Sequence, residues 1–346
     1  MGTQTRHFSR LPAEWEPQSG VLLAWPHQGT DWQPLLDEVI PVYLELVRRI
    51  SRFEPVVILA PDTEGPRAEL QRAGIAMDRV ILCRVPTNDT WVRDFGPITV
   101  EEGNNLKLLD FGFNGWGLKF AADQDNQATR RLHDSGCLKP GTGLEIPGLV
   151  LEGGSIETDG CGTLLTTAQC LLGPNRNPHL VREDLEDRFS ELFGSSHVLW
   201  LEHGYLAGDD TDAHIDTLAR LAPEETILYM CCDDPRDEHY AELQAMEKEL
   251  TAFRTAHGKP FRLLPLPWPR PCFSDGERLP ATYANFLVIN DAVLVPLYRD
   301  AADQDALQVI TDAYPGREII GVDCLPLIKQ HGSLHCVTMQ LPQGVL

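Results

Sequence analysis

The fold class is read most directly from residues 286–323, "FLVINDAVLVPLYRDAADQDALQVITDAYPGREIIGVD". The apolar run at 286–298 has the β-branched composition of a buried strand. Leu307, Ile310 and Tyr314 then follow at helical spacing and end at a Pro-Gly stop. A second strand-like run, "REIIGVD", closes the stretch at 317–323. The segment therefore predicts an α/β fold.

The rest of the chain repeats this alternation of short apolar runs and amphipathic segments. Helices are predicted at 34–50, where Pro41 should kink or break the helix, and at 237–254. Strand-like runs cover 21–25, 55–60, 79–85, 106–111, 162–172, 197–201, 226–232, 261–266, 286–298, 317–323 and 333–341. Strands outnumber helices about two to one, which favours strand–strand–helix–strand units over strict βαβ alternation. Repetition at the residue level is weak, and without a long linker a single domain spanning 1–346 is expected.

Composition and charge exclude several classes of function. The 346 residues are 42% hydrophobic and carry a formal net charge of −22. Such a chain repels nucleic acid and anionic membranes and attracts cations, although a merely solvated acidic surface would have the same charge. Residues 1–12 contain no apolar leader segment, and no apolar run reaches membrane-spanning length. A cytoplasmic location is therefore expected.

The nine cysteines are scattered and include no C-x-x-C pair. We therefore expect neither a disulfide framework nor a structural zinc site, which suggests a reducing compartment. Cys336 lies in "GSLHCVTMQL" beside His335. On base rates a single cysteine is a packed core thiol, so any catalytic role has to be argued from other residues.

Polar residues concentrate in four stretches with loop-like composition, which are 87–97, 113–117, 151–160 and 208–221. In the last of these, His214 and Asp216 form an H-x-D pair whose side chains would share one face of a strand. The alternative is a surface turn rich in aspartate, which also contains Asp210. Asp94 could likewise be a turn cap or an ion-pair partner.

Glu152 follows an apolar strand-like run and precedes two glycines, so a histidine is a natural partner for it. Trp91 and Trp116 are surrounded by polar residues, and tryptophan faces in a cleft can cover a flat cation. If 333–341 is a strand, His335 and Cys336 point to opposite faces. A reactive Cys336 then needs a histidine from elsewhere, and His214 is the best candidate.

A thiol, an imidazole and three carboxylates in one pocket would suit one kind of substrate. Thiolate and imidazole together perform nucleophilic catalysis. Several carboxylates oppose an oxyanion but match the forked N–H donors of a guanidinium, which carboxylates bind in bidentate fashion. The set Cys336, His214, Glu152, Asp94 and Asp216 thus points to chemistry at a guanidinium carbon.

Six stretches in order resemble the agmatine deiminase family, also called the Porphyromonas-type peptidylarginine deiminase family, of the guanidine-modifying superfamily. They are "LPAEWEPQSGVLLAWPHQGTDW", "NDTWVRDFGPI", "FNGWG", "LEGGSIETDGCGTLLTT", "GDDTDAHIDTLARL" and "GSLHCVTMQLP". The resemblance implies a five-bladed α/β propeller (pentein) of ββαβ modules with pseudo-fivefold symmetry. It implies no metal and no organic cofactor.

The same resemblance implies a role for each site residue. Cys336 is then the nucleophile, His214 the general acid and base, and Glu152 the residue that orients His214. Asp94 and Asp216 bind the guanidinium. Trp91 and Trp116 line the substrate pocket. Apart from the resemblance, the acidic run beside His214 makes Asp210 a further candidate for binding a cationic substrate. Two departures from the family pattern leave substrate choice open, since only Gly332 remains of a glycine run and Ala213 replaces a glycine.

The expected activity is hydrolysis of agmatine to N-carbamoylputrescine and ammonia, with a small cationic guanidino compound as partner. Deimination of free or peptide-bound arginine is the alternative within the same class. A zinc hydrolase using His214, Asp216 and Cys336, or a non-catalytic binding module, are the alternatives from other classes. Homo-oligomerisation is left open.

Overall fold

The computed structural model describes residues 9–103 and 105–346. The expectation about a leader segment concerns residues 1–12, of which 1–8 lie outside the described part of the chain. The strands are β1 Ser9–Arg10, β2 Gln18–Ala24, β3 Val56–Ala60, β4 Val80–Arg84, β5 Ile98–Glu102, β6 Asn105–Leu109, β7 Gly143–Glu145, β8 Ile156–Thr158, β9 Thr163–Thr167, β10 His197–Leu201, β11 Ala219–Ala222, β12 Thr226–Met230, β13 Arg262–Leu266, β14 Cys272–Ser274, β15 Glu277–Leu279, β16 Leu287–Ile289, β17 Ala292–Leu297, β18 Glu318–Asp323 and β19 Thr338–Pro342. The helices are α1 Leu36–Ile50, α2 Glu64–Arg72, α3 Val92–Phe95, α4 Gly115–Leu118, α5 Ala128–Asp134, α6 Ala168–Leu171, α7 Arg182–Phe193, α8 Tyr240–Ala252, α9 Asp303–Ala313 and α10 Leu325–Ile328.

The segment 286–323 folds into one strand–strand–helix–strand unit. Its long apolar run is not one strand but a hairpin, in which β16 pairs antiparallel with β17. Asn290 and Asp291 form the turn, and Asp291 has a positive φ of 60°, a conformation that aspartate adopts more readily than most residues. Helix α9 then crosses over, and β18 pairs parallel with β17.

Four other sheets have the same connectivity. An antiparallel pair, a helix and a parallel third strand occur in β5–β6–α5–β7, β8–β9–α7–β10 and β11–β12–α8–β13. In the remaining sheet the C-terminal strand β19 supplies the antiparallel partner of β2, and β3 and β4 follow in parallel. The predicted α/β class and the strand–strand–helix–strand unit are therefore both present.

Helix α1 runs unbroken through Pro41, so the predicted break there is wrong. Its apolar face, including Val39, Tyr43 and Leu46, is buried against the core. Pro41 lies on the exposed side of the helix. The backbone groups that a proline disturbs can therefore be satisfied by solvent, while burial of the opposite face holds the helix together.

Two further features of the structure are a disulfide and the lengths of its apolar helices. Cys83 on β4 and Cys137 after α5 form a disulfide, with Cα atoms 6.4 Å apart, so the expectation that the cysteines are unpaired is wrong for this pair. Because the two residues are 54 positions apart, only the fold brings them within bridging distance. In the part of the chain that the structure describes, no helix is both long and apolar enough to cross a bilayer.

Candidate active site

The polar motifs converge on one cavity of about 180 Å³. Short helices and turns rather than long elements provide its walls: α3, the turn α4, the loop around 209–211 and the turn that ends at Cys336. Of the predicted residues, Trp91, Asp94, Trp116, Asp210 and Cys336 line it directly. Residues that lie far apart in the sequence are thus brought to one place by the way the sheets are connected.

Cys336 is buried at the base of this cavity, with 5% of its surface exposed. It lies in a turn, because β19 begins only at Thr338, so the prediction that 333–341 is a strand is wrong in its first half. The Sγ atom lies 3.4 Å from Asn285 Oδ1 and 3.9 Å from Asp216 Oδ2. Burial, together with the charges of Asp216 and Asp94, raises the pKa of the Cys336 thiol well above its usual value.

His214 and Asp216 are on a 3₁₀ turn, Ile215–Thr217, and not on a strand. Their side chains still converge, because both approach Gly154 of the E-G-G motif. His214 Nδ1 lies 3.5 Å from Asp94 Oδ1, and Nε2 is buried without a hydrogen-bond partner in the described structure. Burial lowers the pKa of His214 to about 3.

The two aspartates differ in their surroundings. Asp94 accepts hydrogen bonds from the Gly154 N–H at Oδ1 and from the Trp116 Nε1–H at Oδ2, both at 2.9 Å. Burial and the nearby Asp216 nevertheless raise the Asp94 pKa well above its usual value. Burial alone would raise the pKa of Asp216 as well, but the hydrogen bond and charge of His335 lower it.

The carboxylate of Asp216 has one occupied and one free oxygen. Oδ2 accepts from His335 Nδ1 at 2.8 Å and from Asn285 Nδ2 at 3.3 Å. Oδ1 is buried and has no hydrogen-bond partner within the described residues. An unpaired buried carboxylate oxygen is costly unless a ligand completes it, so this atom marks a binding position for a donor.

Glu152 is completely buried and is bound by Arg176 instead of by His214. Arg176 Nε lies 3.0 Å from both carboxylate oxygens of Glu152, and its Nη1 lies 2.7 Å from Asp212 Oδ2. Burial raises the pKa of Glu152, against the charge of Arg176. A Glu152 oxygen and a ring nitrogen of His214 are within 4.8 Å, which is close enough for charge interaction and beyond hydrogen-bonding distance.

The remaining predicted residues are at the cavity walls. Trp116 and Gly117 have left-handed backbone angles, with φ of 55° and 82°, and this turn directs the Trp116 indole at Asp94. Trp91 packs over Gly332, where an added Cβ would overlap the indole ring. Asp210 is about half exposed, and its Oδ2 lies 3.8 Å from His331 Nδ1 at the rim.

Two buried trios could in principle hold a metal ion, namely Glu152, Cys170 and His214, and Glu14, Glu157 and His335. Each trio already contains a carboxylate paired with an arginine, which opposes a second cation. Among the described residues, the set His214, Asp216 and Cys336 suggested for zinc is not a group of this kind.

Three residues of the site are missed by sequence reasoning: Asn285, Arg176 and Glu14. Asn285 accepts from the backbone N–H of His335 and Cys336, at 2.9 and 3.3 Å, and so fixes the turn that carries the thiol. Its only sequence signal is a polar residue directly before an apolar run. The sequence predicts that His335 is not the base for Cys336. Its ring contacts Asp216 and Glu14 and does not line the cavity.

Gly154 provides a first test of this arrangement. A Cβ at this position would lie 2.7 Å from His214 Nδ1, 2.8 Å from Asp94 Oδ1 and 3.1 Å from Asp216 Oδ2. Gly154→Ala should therefore displace all three side chains and reduce turnover of a guanidino substrate by about 100-fold or more, since small displacements of reacting groups have effects of this size. Steady-state ammonia release measures the loss.

Gly65→Ala is the matched control, because the new Cβ would meet only Asp62 Oδ2, at 3.7 Å, on the distant helix α2. This variant should retain full activity. If Gly154→Ala is also fully active, then the close contacts around residue 154 do not determine the geometry of the reacting groups.

Comparison with known proteins agrees with this geometry. The profile of the Porphyromonas-type peptidyl-arginine deiminase family matches residues 10–342. The chain is 32% identical to agmatine deiminase of Ectopseudomonas mendocina, over 96% of this chain and 95% of that protein. A relative from Pseudomonas putida strain F1, also an agmatine deiminase, is 33% identical over 97% of this chain and 96% of its own length.

Solved structures give the same result. A C. jejuni agmatine deiminase, in a cysteine-to-serine variant with substrate bound, is 39% identical and superposes with a TM-score of 0.91, covering 100% of this chain and 99% of its own. A Porphyromonas gingivalis protein provisionally named arginine deiminase is 49% identical, with a TM-score of 0.93 over 98% and 99% of the two chains. The chain belongs to the Porphyromonas-type peptidyl-arginine deiminase family.

Proposed function

We propose that this protein is an agmatine deiminase, which converts agmatine and water to N-carbamoylputrescine and ammonia. The observation that carries the proposal is the buried carboxylate of Asp216, whose Oδ1 has no partner among the described residues and whose Oδ2 lies 3.9 Å from Cys336 Sγ. Cys336 and a second carboxylate, Asp94, both line the cavity. Two carboxylates beside a thiol suit a planar cation with N–H donors on both sides. Relatives named agmatine deiminase over nearly the whole chain support the assignment.

Each side chain takes a defined part in the reaction. Asp94 and Asp216 bind the guanidinium and hold its carbon against Cys336 Sγ. His214 accepts the proton of the Cys336 thiol, and the thiolate attacks this carbon. The C–N bond to one amino group then breaks, and His214 returns that proton to the departing amino group, which leaves as ammonia. His214 then removes a proton from water, which attacks the amidino-thioether carbon and releases the thiolate and the carbamoyl product. Glu152 orients His214 through its charge, and Trp91 and Trp116 close the pocket over the substrate.

Binding of the substrate changes how readily the Cys336 thiol ionises. Without a ligand, Asp216 and Asp94 oppose ionisation of Cys336 and raise its pKa. A bound guanidinium neutralises both carboxylates and favours the thiolate. The substrate cation thus helps to generate the nucleophile that attacks it, and compounds without this charge are poorly activated.

This coupling predicts a difference between two pH profiles. The rising limb of kcat/KM reports the free enzyme, where the Cys336 pKa is raised, and the limb of kcat reports the complex. We expect the limb of kcat to lie at lower pH by about one unit or more, the shift that a nearby opposite charge produces. Rates of ammonia release between pH 6 and 10 give both profiles. Coincident or reversed limbs would contradict activation by the substrate charge.

Substrate preference is the next prediction. Agmatine ends in an ammonium, whereas arginine adds a carboxylate at that end. The cavity is lined by Asp31, Asp89, Asp209 and Asp210, and no arginine or lysine is among its lining residues in the described chain. We expect kcat/KM for agmatine to exceed that for free arginine by at least ~100-fold, about 2.7 kcal/mol at the transition state.

The same assay separates the alternatives. Ammonia release is compared for agmatine, arginine and a blocked arginine peptide, which should be poor because its bulk must pass Trp91 and Trp116. If either arginine substrate is turned over as fast as agmatine or faster, agmatine is not the preferred substrate, and only the reaction class, deimination of a guanidino compound, is supported. Loss of activity to a chelator would favour a metal hydrolase, and an inert Cys336 would favour a binding module.

We further propose that the five sheets of like connectivity form the five blades of an α/β propeller in a single domain spanning 1–346, with the cavity near its axis. The support is the closure of the first unit by β19, which joins the two ends of the chain in one sheet. A cytoplasmic location, the absence of a cofactor and independence from nucleic acid and membranes remain predictions of the sequence. The oligomeric state is left open.

A further inference from the structure

A cluster of buried ionisable side chains surrounds His335, and one of its members, Asp216, lies 3.9 Å from Cys336 Sγ. The imidazole Nδ1 lies 2.8 Å from Asp216 Oδ2, and Nε2 lies 2.7 Å from Glu14 Oε2. The ring is 1% exposed, so water cannot replace either partner. His335 therefore connects the guanidinium-binding Asp216 to a second carboxylate deeper in the protein.

Both of these short contacts require a proton, and the surroundings decide where the protons lie. Glu14 Oε1 accepts from the Val288 N–H at 2.7 Å, and Oε2 accepts from Arg220 Nη2 at 2.9 Å. A carboxyl group that accepts at both oxygens and is bound by an arginine is held in its ionised form. The proton between Glu14 and His335 is therefore on Nε2.

The same reasoning applies at the other nitrogen. Asp216 Oδ2 accepts from the Asn285 amide at 3.3 Å and lies 2.8 Å from His335 Nδ1, and a buried carboxylate with these donors is held in its ionised form. The second proton thus lies on Nδ1, and the ring carries both. Arg220 Nη2 also lies 3.1 Å from Nε2, where it would donate only to an unprotonated nitrogen. Its contact with Glu14 Oε2 is shorter, at 2.9 Å, and a carboxylate is the stronger acceptor, so the guanidinium donates to Glu14, which both cations share.

Charge balance in the cluster favours the same state. The buried carboxylates are Glu14, Glu157 and Asp216. The buried arginines are Arg93, whose Nη2 lies 3.6 Å from Glu14, and Arg220, which binds Glu157. Three negative charges thus face two arginines, and a neutral His335 would leave one negative charge uncompensated in the interior, which is costly. A protonated His335 completes the balance.

We propose that His335 is held as an imidazolium and is a positioning residue for deimination. Its charge keeps Asp216 ionised, and its Nδ1–H fixes Oδ2 so that Oδ1 remains free for the guanidinium. This inference rests on the proposed function for its catalytic part. Asp216 thus has a positively charged partner before the substrate binds, whereas Asp94 accepts only from neutral donors, the Gly154 N–H and the Trp116 indole.

The kinetic test is His335→Asn, because the asparagine amide can still donate near the Nδ1 position but carries no charge. Without the positive charge, the Asp216 pKa should rise by about 1–3 units. The ratio of wild-type to variant kcat/KM for agmatine should then grow as the pH falls from 8 to 5, and by about tenfold or more where the rise approaches 3 units. A ratio that stays constant over this range would indicate a purely structural role and overturn the proposal.

His239→Asn is the matched control. His239 is also buried and lies 2.7 Å from a carboxylate, Asp237, but it is outside the active site. Its variant should show a ratio that does not depend on pH. If His335→Asn fails to fold, Glu14→Gln provides the second variant, because it removes the anion that holds the proton on Nε2 and should produce the same growth of the ratio.

A spectroscopic test is independent of activity. Nitrogen-15 NMR of histidine-labelled protein reports the protons on each ring, and the signal lost in His335→Asn assigns the residue. His335 should keep both ring protons up to pH 8, and Glu14→Gln should remove one of them at this pH. A His335 ring that is neutral at pH 8 in the wild type overturns the proposal. If agmatine is not a substrate, this result still decides the state of His335.

Discussion

Cys336→Ala is expected to lower kcat for agmatine by at least about 10⁴-fold, which is the scale seen when a covalent nucleophile is removed. Without Sγ no amidino-thioether can form, and the remaining groups can only bind and orient the substrate. The fold should persist, since the change removes one small buried atom and its weak contacts with Asn285 and Asp216. Ammonia release and thermal unfolding measure the two effects.

A second thiol controls for the loss of a buried cysteine as such. Cys232 is completely buried but belongs to a separate apolar cluster with Leu243 and Met246. Cys232→Ala should cost some stability and leave kcat unchanged. Mass spectrometry of acid-quenched wild-type enzyme should also detect the protein plus agmatine less ammonia. Substantial activity in Cys336→Ala would contradict the covalent mechanism and would favour direct attack of water on the guanidinium carbon.

The sequence identified these reacting groups more reliably than the elements that carry them. Cys336, His214 and Asp216 were placed on strands, but each lies in a turn. Turns were hard to foresee because these residues follow or precede apolar runs, which resemble strands by composition. The run 162–172 shows the same limit: it divides into β9 and the short helix α6 at Thr167, whose hydroxyl accepts from the Cys170 N–H.

The partners of the reacting groups were the main omission. Arg176, Glu14 and His335 act through contacts between residues far apart in the chain, such as the 321 positions that separate Glu14 from His335. No periodicity or local motif encodes such a pair. The hairpin at Asn290 and Asp291, in contrast, has a local signal, because asparagine and aspartate favour turns. The sequence analysis nevertheless predicts a single strand over the whole apolar run.

The final prediction concerns the two aspartates, which should fail in different ways. Asp94→Asn and Asp216→Asn each remove a charged partner of a buried cation, which typically costs about 3–5 kcal/mol, or roughly 10²–10³-fold or more in kcat/KM. Glu152→Gln should act differently, through the orientation of His214, and lower kcat more than it raises KM. Ammonia release over a range of agmatine concentrations separates these effects.

Stability distinguishes the aspartates further. In the free protein burial and the nearby Asp216 raise the Asp94 pKa well above its usual value, so asparagine replaces a group whose charge is already disfavoured, at the loss of one hydrogen bond from Gly154 or Trp116. Asp216 is ionised and bound to His335, so asparagine leaves a buried cation half paired. Asp216→Asn should therefore lower the free energy of unfolding by several kcal/mol, and Asp94→Asn by about 1 kcal/mol.

Asp237→Asn is the control, because this carboxylate is largely enclosed, with 8% of its side chain exposed, and is paired with Arg278 outside the site. It should destabilise the protein without a change in kcat/KM. Denaturant unfolding at pH 7 compares the three variants. Equal losses of stability for Asp94→Asn and Asp216→Asn would mean that the two carboxyl groups share one charge state in the free enzyme. Near-normal kcat/KM in either variant would remove that aspartate from the guanidinium.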